Sequence, residues 1–470
     1  MIDHRLKASA QKAELEWQQL CDAYLPIGAK RSIWRCSRER NDDDPLQGWK
    51  LHVSGTILSA CPIFRLIAPY LKRRDILFKA PKSLAELHKL NSGIYYGFCQ
   101  IGKFVTVYPQ SVEAAAAIGS KLHALTAKFP APMVPYDNAF RNRSCVYYRY
   151  GSFSLHLKTT FRKKRVLAIA RPDGKLVPDL RQPRAAVPPW LTDPFQPVRS
   201  QVAFELATPL ETDYTNYEAL TQRGRGGIYK ARDVSSARGK LCVIKEGRRH
   251  GETDWLGRDG FIRIKREAQF LRSTGIAAVP RVMKTFRANG CYYLVMERIS
   301  GRSLQQLLTS GHRMSTRRML NYCAQMAQIV ADIHAAGWAW RDCKPTNFLV
   351  EKNHKLRALD FEGACRLDET DPPWGATPGY TPPKRSSKSG SPEAMDLYAL
   401  GTSIMQLMAR RESPVNLARA FRREIKKRHL PLRLLKTIQS LRSPSPKRRP
   451  SARATHEVTE LHVQLKQLQS

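Results

Sequence analysis

The chain has 470 residues, of which 42 % are hydrophobic and 9 % aromatic, enough to bury two or three cores. No segment approaches the ~18 uninterrupted apolar residues of a membrane span, and the ten scattered cysteines form no Cys-x-x-Cys pair. We therefore expect a multidomain protein of the cytoplasm, without a secretory signal, a membrane span or a structural zinc site.

The net charge is the outlying property, because 79 Lys and Arg stand against 40 Asp and Glu and give +39. Such a field attracts polyanions, including phosphate groups and acidic peptides. Several cations form short runs, for example at residues 162–165 and 447–449. No nucleic-acid-binding motif accompanies these runs, so we expect solvated faces and no nucleic acid partner.

The N-terminal half predicts alternating strands and helices. β-branched and aromatic residues around 49–56, 103–108 and 146–150 are typical of short strands, and residues 111–129 predict a helix. A Pro-rich stretch at residues 181–195 follows. Because proline lacks an amide donor and fixes its own φ, this stretch marks a junction between two folded parts.

After the junction, strand-like segments at residues 227–231, 241–245 and 292–297 precede long helical patterns. The clearest pattern covers residues 315–334, where apolar side chains recur at spacings of four and three. These side chains predict one buried stripe: Met319, Cys323, Met326, Val330 and Ile333. A strand-rich part is thus followed by a helical part.

One segment has the spacing of a phosphotransferase site. Asn347 follows Asp342 by five positions and Asp360 follows it by eighteen, as in the catalytic loop and metal-binding Asp of protein kinases. Phosphoryl transfer needs a carboxylate that accepts the hydroxyl proton and oxygen ligands for Mg²⁺. We assign Asp342 as the base, Asn347 and Asp360 as metal ligands, and Lys344 as the cation that neutralises the γ-phosphate.

Upstream segments supply the expected nucleotide contacts. Lys245, in Cys-Val-Ile-Lys, matches the strand lysine that holds the α- and β-phosphates, and Glu267 is its predicted ion-pair partner. The segment that contains Glu297 and Ile299 predicts the hinge, whose backbone would meet the adenine.

Three departures from the kinase pattern lie around the nucleotide. The phosphate-covering loop reads Thr-Gln-Arg-Gly-Arg-Gly, in which Gly226 stands at one of the three expected glycine positions and the other two glycines are absent, while Gly224 is an additional glycine. Trp340 replaces the usual His, and Glu362 replaces the Gly that follows Asp-Phe. Neither of these two replacements removes a catalytic oxygen.

Two further positions concern the helical part. Asp396 matches the buried Asp that supports the catalytic loop. Lys384 stands where kinases carry a Glu paired with a distal Arg, for which Arg449 is the positional match. Two cations cannot form that bridge.

The N-terminal half carries a second group of candidate residues. Lys50 and His52, in Gly-Trp-Lys-Leu-His-Val-Ser, project to the same face of a strand because side chains alternate. Lys79, Lys103 and Arg149 follow in strand-like segments. By themselves, these side chains also fit solvated strand faces.

The order of the motifs resembles class III lanthipeptide synthetases over most of residues 40–410. The shared motifs include Gly-Trp-Lys-Leu-His-Val-Ser, Gly-Lys-Phe-Val-Thr-Val-Tyr-Pro, Tyr-Arg-Tyr-Gly-Ser-Phe, Trp-Leu-Thr-Asp-Pro-Phe, Trp-Arg-Asp and Asp-Phe-Glu-Gly-Ala. Those enzymes join a phospho-Ser/Thr lyase domain, a kinase domain and a zinc-dependent cyclase domain. The resemblance implies an α+β chain with a lyase-like domain at 1–200 and a bilobal kinase-like domain, its N-lobe at 201–300 and its C-lobe, with basic C-terminal helices, at 301–470.

The resemblance, which extends to bacterial phosphothreonine lyases, also implies roles for the N-terminal cations. Lys79 would remove the α-proton of a phosphorylated Ser or Thr, and His52 would protonate the departing phosphate. Clustered cations favour a neutral lysine base and stabilise the charge of the leaving phosphate. Four cations would hold the phosphate: Lys50, Lys103, Arg149 and, with a less clear local motif, Arg141.

The residues after the kinase-like part contain no Cys/His zinc constellation. We therefore expect the cyclase domain to be absent. Either the product stays without thioether rings, or a separate cyclase closes them.

These observations leave functions of three kinds. The first is a peptide dehydratase that uses ATP or another NTP with Mg²⁺ to phosphorylate Ser/Thr of a precursor peptide, then eliminates phosphate to dehydroalanine or dehydrobutyrine. An acidic leader on that peptide would suit the charge of +39. The alternative is a signalling or effector Ser/Thr kinase with a non-catalytic N-terminal recruitment domain. A pseudokinase scaffold is disfavoured, because every phosphate and metal ligand is present.

Overall fold

The structure, a computed structural model, describes residues 2–142, 144–154, 156–181, 187–195, 209–235, 239–311, 314–369, 377–383 and 390–468. The chain divides into two compact units. The first unit comprises Met1–Tyr229, Lys245–Ile262 and Arg287–Tyr292, and the second comprises Lys230–Ile244, Arg263–Phe286 and Tyr293–Ser470. The predicted domain boundaries at residues 200 and 300 stay a prediction.

The N-terminal elements mix helices and strands, in agreement with the predicted α+β class. In chain order they are α1 Ile2–Tyr24, β1 Ile27–Gly28, β2 Trp34–Cys36, β3 Gln47–Val53, α2 Ala60–Arg73, β4 Leu77–Pro81, α3 Leu84–Ser92, β5 Val105–Tyr108, α4 Val112–Thr126, β6 Asn138–Ala139, β7 Val146–Ser152, β8 Lys158–Phe161, β9 Lys164–Ala170 and β10 Leu176–Pro178. The predicted strands around residues 49, 103 and 146 are confirmed as β3, β5 and β7, and the predicted helix is confirmed as α4.

Seven of these strands form one antiparallel sheet in the order β1-β2-β4-β5-β3-β7-β6. A separate three-stranded antiparallel sheet has the order β10-β9-β8. Antiparallel sheets commonly bury one face and leave the other for solvent or ligand. In the seven-stranded sheet, one face holds the core and the opposite face carries polar and charged side chains, including His52 and Arg149, which are also buried.

The core of the first unit lies on one face of the seven-stranded sheet. Trp49, Leu51 and Val53 of β3 are at most 3 % exposed and belong to this core. Helices α1 and α2 contribute Trp17 and Phe64, whose ring centroids are 5.0 Å apart. Burying each such side chain contributes about 1.5–3 kcal/mol. Because side chains alternate along a strand, the intervening residues of β3 face the opposite side.

Local sequence signals explain where helices α3 and α4 begin and where α3 ends. Ser83 caps α3 by accepting a 3.1 Å hydrogen bond from the amide of Glu86, and Gly93 ends the helix at φ +71°. Ser111 caps α4 in the same way through the amide of Ala114. Serine caps and a left-handed glycine are the usual helix boundaries.

The remaining elements are strand-rich first and helical afterwards, as predicted. They are α5 Pro209–Thr212, β11 Tyr214–Arg223, β12 Gly226–Asp233, β13 Lys240–Arg248, α6 Gly260–Thr274, β14 Val282–Ala288, β15 Cys291–Glu297, β16 Arg302–Ser303, α7 Leu304–Thr309, α8 Thr316–Ala335, β17 Trp338–Ala339, β18 Phe348–Val350, β19 Leu356–Ala358, β20 Cys365–Arg366, α9 Pro392–Met408, α10 Leu417–Lys427, α11 Leu432–Leu441 and α12 Ala452–Leu468. Strands β11 to β15 form a sheet in the order β11-β12-β13-β15-β14.

Helix α8 confirms the predicted buried stripe. The five stripe residues are at most 1 % exposed: Met319, Cys323, Met326, Val330 and Ile333. Helix α12 packs against α8, and His456 Nδ1 lies 3.0 Å from the carbonyl oxygen of Ala324. Among the residues that the structure describes, there is no helix with the length and apolarity needed to cross a bilayer.

Candidate functional site

The predicted base and acid of the lyase lie in one row across the face of the seven-stranded sheet that is opposite the core. The pairing register places Cys36 opposite Lys79, Lys79 opposite Thr106, Thr106 opposite His52, and His52 opposite Tyr147. Neighbouring strands are ~4.8 Å apart, so the backbones of the predicted base and acid are about 10 Å apart. The sheet therefore brings Lys79 and His52 to the same face with one residue between them.

Lys50 and Arg149 lie in the next row of the same face. They are directly opposite each other on β3 and β7. The ammonium nitrogens of Lys50 and Lys79 each lie 5.8 Å from the ring centroid of Tyr108, and that of Lys79 lies 4.7 Å from the ring of Trp34. Aromatic faces attract cations and hold them without neutralising them. The ammonium groups of Lys50 and Lys79 therefore both lie near the ring of Tyr108.

Burial dominates the electrostatics of this face. Burial, followed by the charge of Arg149, lowers the pKa of Lys50 well below its ordinary value, and the carboxylate of Asp179 opposes this shift. Burial also lowers the pKa of Lys103 to about 8, against the opposing attraction of Asp137. A desolvated group surrounded by cations favours its neutral form. A bound anion would reverse this preference, because a nearby negative charge favours the protonated lysine.

Asp137 is a member of this site that the sequence did not reveal. Its two carboxylate oxygens lie 2.5 Å from His52 Nδ1 and 3.1 Å from Lys103 Nζ. Burial lowers the pKa of His52 to about 3, although Asp137 pulls in the opposite direction. Burial would raise the pKa of Asp137, but its interactions with His52 and Lys103 outweigh burial and hold that pKa below its usual range. Because Nδ1 of His52 faces the carboxylate, Nε2 is left for a reacting group.

Arg149 has a carboxylate partner of its own, Asp179, with which it forms a buried ion pair. Asp179 follows β10, and the sequence did not reveal that it pairs with Arg149. The described contacts of Arg141 are with other residues. Its side chain is exposed, its guanidinium is 5.8 Å from the ring of Phe140, and its charge acts on His123 of α4. The phosphate-binding role of Arg141 stays a prediction.

In the second unit, Asp342 is held by three side chains. Lys344 Nζ lies 2.7 Å from one carboxylate oxygen, to which the side-chain amide of Asn347 also donates at 2.8 Å. The hydroxyl of Thr377 donates to the other oxygen at 2.8 Å. Burial raises the pKa of Asp342, and Lys344 opposes that shift. The predicted base, cation and metal ligand are thus brought together.

Asp396 supports the chain just before Asp342. Its carboxylate accepts hydrogen bonds of 2.6 Å from the amides of both Trp340 and Arg341, and it lies 3.1 Å from His334 Nε2. Asp396 is fully buried, and Arg341 has φ +67°. Two charge-assisted hydrogen bonds stabilise this left-handed turn. The predicted supporting role of Asp396 is confirmed.

Three carboxylates beside this loop could hold a metal ion. Oxygen atoms of Glu267, Asp360 and Glu362 lie within 4.8 Å of one another. Glu267 also accepts a 3.2 Å hydrogen bond from the amide of Phe361. An all-oxygen donor set suits a hard divalent cation. The Glu that replaces the expected Gly therefore adds a carboxylate to the metal-binding candidates.

Trp340 takes two structural roles where protein kinases usually carry His. Its indole N–H donates a 2.9 Å hydrogen bond to the carbonyl oxygen of Asp360. Its ring lies 5.3 Å from that of Phe361, which stacks on Phe270 at 4.3 Å. The replacement thus ties the catalytic loop to the metal-binding segment by a hydrogen bond and an aromatic stack.

The predicted nucleotide-loop residues lie in the first unit. Lys245 is 5 % exposed on β13. A Cβ on Gly224 would lie 1.7 Å from the carbonyl oxygen of Asn91, and one on Gly226 would lie 1.7 Å from that of Glu246. Both glycines are therefore required by close backbone packing, whatever they contact in a complex. The predicted Lys245–Glu267 ion pair joins residues of the two units and stays a prediction.

The predicted hinge residues lie at the end of β15. The carboxylate of Glu297 accepts hydrogen bonds from the amide of Arg281 at 3.0 Å and from the guanidinium of Arg357 at 2.5 Å. Ile299 is half-buried. These contacts engage the carboxylate of Glu297, so a nucleotide would bind to the backbone of this segment. The contact between this backbone and the adenine stays a prediction.

Of the predicted pair of cations Lys384 and Arg449, the structure describes only Arg449, because Lys384 lies outside the described residues. Arg449 donates from Nη1 to the carbonyl oxygen of Ala394 at 2.6 Å and from Nε to that of Ser443 at 3.0 Å. Backbone acceptors therefore engage this distal arginine.

Two family models match consecutive parts of the chain. Residues 27–205 match the N-terminal domain of RamC, and residues 216–463 match the protein kinase domain. The probable SapB synthase of Streptomyces coelicolor is 31 % identical over 382 residues, which are 78 % of this chain and 40 % of that protein.

Kinase relatives match a smaller part of the chain. The serine/threonine-protein kinase pkn3 of Myxococcus xanthus is 29 % identical over 205 residues, which are 41 % of this chain and 37 % of that protein. PrkC of Bacillus subtilis is 26 % identical over 216 residues, 43 % of this chain and 32 % of that protein. The chain spans less than half the length of each of these three relatives.

Proposed function

Because the chain belongs to the protein kinase family and carries a RamC-type N-terminal domain ahead of its kinase domain, we propose that it is a peptide dehydratase of lanthipeptide-type biosynthesis. It phosphorylates Ser or Thr of a precursor peptide and then eliminates the phosphate to dehydroalanine or dehydrobutyrine. One observation carries the proposal: Lys50, His52, Lys79 and Arg149 share one face of a sheet, on a chain that also bears a complete kinase catalytic loop.

The first step is phosphoryl transfer in the kinase domain. Asp342 accepts the proton of the substrate hydroxyl, and Lys344 balances the charge of the transferred group. Asn347 and Asp360 would hold a divalent cation, for which we propose Mg²⁺, and the carboxylates of Glu267 and Glu362 lie within reach of the same ion. When bound, the cation would supply positive charge that offsets the phosphates of ATP or another NTP.

The second step is elimination on the N-terminal sheet. Lys79 takes the α-proton, the Cα–Cβ double bond forms as the Cβ–O bond breaks, and His52 gives a proton from Nε2 to the departing phosphate. Lys50, Lys103 and Arg149 stabilise the negative charge that develops on phosphate. The products are a dehydroamino acid and inorganic phosphate.

The proton on His52 is supplied on substrate binding. Burial and nearby cations keep its pKa near 3, so the imidazole is neutral in the free protein at neutral pH. A bound phosphate dianion favours the protonated form. His52 therefore takes up a proton with the substrate and releases it to the leaving group, while Asp137 fixes Nδ1.

The setting of this activity is also proposed. The ten cysteines, all within the described ranges, are free thiols, which supports a cytoplasmic location. The charge of +39 supports a precursor peptide with an acidic leader.

Mass spectrometry of a co-expressed Ser/Thr-rich precursor peptide tests the proposal. The wild-type protein should remove the mass of one water per modified residue. Lys79→Ala should accumulate phosphopeptide, and Asp342→Asn should stop both products. Unimpaired dehydration by Lys79→Ala would contradict the lyase assignment. Stable phosphorylation by the wild-type protein would favour the alternative, a signalling or effector Ser/Thr kinase like the relatives that match its kinase domain.

A further inference from the structure

The three-stranded sheet β10-β9-β8 places the carboxylate of Asp179 beside Arg149, on the face of the seven-stranded sheet that carries Lys50 and His52. Asp179 follows β10 directly, and its amide donates a 2.8 Å hydrogen bond to the carbonyl oxygen of Leu167 on β9. Its side chain is 5 % exposed. A carboxylate this deeply buried is stable as an anion only where cations or hydrogen bonds compensate it.

Asp179 is bound at both oxygens by β7. One oxygen forms the ion pair with Nη2 of Arg149, and the other accepts a 3.1 Å hydrogen bond from the amide of Ser152. Gly151 lies between them. A Cβ there would be 2.7 Å from Nη1 of Arg149 and 2.9 Å from the carboxylate, so the pair has space only beside a glycine. The guanidinium is therefore held in one orientation.

The other end of the same guanidinium is left available. Nη1 of Arg149 is buried and has no hydrogen-bond partner among the residues that the structure describes, and the whole side chain is 7 % exposed. An unsatisfied buried donor is destabilising until an acceptor reaches it. Lys50 lies directly opposite on β3, and the charge of Asp179 opposes the lowering of its pKa. Phosphate oxygens are acceptors of the required charge.

We propose that Asp179 is a positioning residue for the elimination step, which fixes Arg149 so that Nη1 donates to the phosphate of the phosphorylated Ser or Thr. This inference rests on the proposed function. It also gives the three-stranded sheet a role in the reaction, although none of its strands contributes a side chain to the row of Lys79 and His52.

Elimination from a pre-phosphorylated peptide, assayed without nucleotide, isolates this step. Asp179→Ala and Arg149→Ala should each lower kcat/KM about 10-fold or more, and the double variant should be no worse than the more impaired single variant. Added guanidinium ion should restore part of the activity of Arg149→Ala but not of the double variant. Asp173→Asn, which alters an exposed acidic residue in the same segment with a 3.4 Å ion pair to Arg171, is the matched control and should leave the rate unchanged.

Folding is checked in the same preparations. Asp179→Ala should still phosphorylate an unmodified peptide at the wild-type rate. If it does not, Asp179→Asn, which keeps the side-chain size, replaces it. The inference would be overturned if both Asp179 variants eliminated phosphate with the wild-type kcat/KM. It would also be overturned if the kcat/KM of the double variant fell by the product of the two single losses.

The inference and the proposed function can fail separately. If the wild-type protein releases no phosphate from the phosphopeptide, the proposed function fails. Calorimetric titration with the same phosphopeptide then tests the positioning role. The positioning role is supported if the affinity for the phosphopeptide falls equally in both single variants and the double variant. It is overturned if the losses of affinity in the two single variants add up in the double variant.

Discussion

The backbone amide of Gly224 donates a 3.0 Å hydrogen bond to the carbonyl oxygen of Ser92, so the loop between β11 and β12 rests on the C-terminal end of α3. The neighbouring side chain, Asn91, accepts a 3.1 Å hydrogen bond from the amide of Gly102, the residue before Lys103. One helix end therefore anchors both the loop that is predicted to cover the phosphates and a cation of the proposed elimination site.

We predict that Gly224→Ala disturbs this anchor. The added methyl group would lie 1.7 Å from the carbonyl oxygen of Asn91, and backbone on both sides leaves little room to relax. Overpacking of this kind lowers the free energy of unfolding by about 1–3 kcal/mol. Because the loop must move, the KM for the nucleotide should rise. Denaturant unfolding and steady-state phosphorylation measure the two effects.

Gly28→Ala is the control for that substitution, because its nearest atom is Cγ of the flexible Arg35 side chain at 3.3 Å. It should leave both stability and KM close to wild type. A Gly224→Ala protein with wild-type stability and nucleotide KM would show that the loop does not depend on α3.

A second prediction concerns Asp137. Asp137→Asn removes the charge that holds His52 Nδ1 and Lys103, so the imidazole loses its fixed orientation. General acid catalysis contributes about 10²–10⁴-fold, and we expect elimination from a phosphopeptide to slow by at least about 100-fold. Phosphorylation of the unmodified peptide should be unaffected.

The matched control is Asp22→Asn, which breaks a 2.8 Å ion pair with Arg35 in which Asp22 is 71 % exposed. Exposed pairs contribute little. Equal rates of elimination for Asp137→Asn and Asp22→Asn would contradict the role of Asp137.

Strand periodicity made much of the elimination site predictable. Lys50 and His52 were expected on one face because side chains alternate, and the pairing register confirms that placement. Asp137 and Asp179 could not be found in this way. They lie 85 and 30 residues from His52 and Arg149, outside any strand, and only tertiary folding brings them to the sheet.

The kinase catalytic loop was predictable for a different reason. The spacing of Asp342, Asn347 and Asp360 is set by a short local structure, so the positions predict the roles without the rest of the fold. From the sequence alone, Trp340 indicates only that the usual His is missing. Its hydrogen bond to the carbonyl oxygen of Asp360 depends on a backbone acceptor, which no residue pattern encodes.

A third prediction tests the support of that loop. Asp396→Asn replaces one of the two oxygens that receive the amides of Trp340 and Arg341 with an N–H donor. An unsatisfied buried donor lowers stability by about 1–3 kcal/mol, and the turn before Asp342 should loosen. Phosphorylation should fall by about 10-fold or more, measured beside thermal unfolding.

Glu393→Gln provides the comparison in the same helix. Glu393 is 45 % exposed and lies 3.7 Å from His334, so removal of its charge should change neither rate nor stability. If Asp396→Asn phosphorylates peptide as fast as Glu393→Gln, the loop does not need Asp396.

The last prediction follows from the buried imidazole. The pKa of His52 is about 3 in the folded protein and 6.5 in its ordinary state. A group with a lowered folded pKa binds more protons when unfolded, so stability falls as pH decreases from about 6.5 toward 3. For one such histidine, the loss between pH 7 and pH 5 is about 2 kcal/mol.

His52→Gln should remove this contribution, because glutamine does not titrate. Its free energy of unfolding, measured with denaturant, should therefore decline less between pH 7 and pH 5 than that of the wild-type protein. His156→Gln, at an exposed position in the same unit, should decline as the wild-type protein does. A His52→Gln protein with the wild-type pH dependence would show that folding does not lower the pKa of His52. A steeper decline than that of the wild-type protein would show that folding raises this pKa, so that His52 would not need the substrate to become the acid of the elimination.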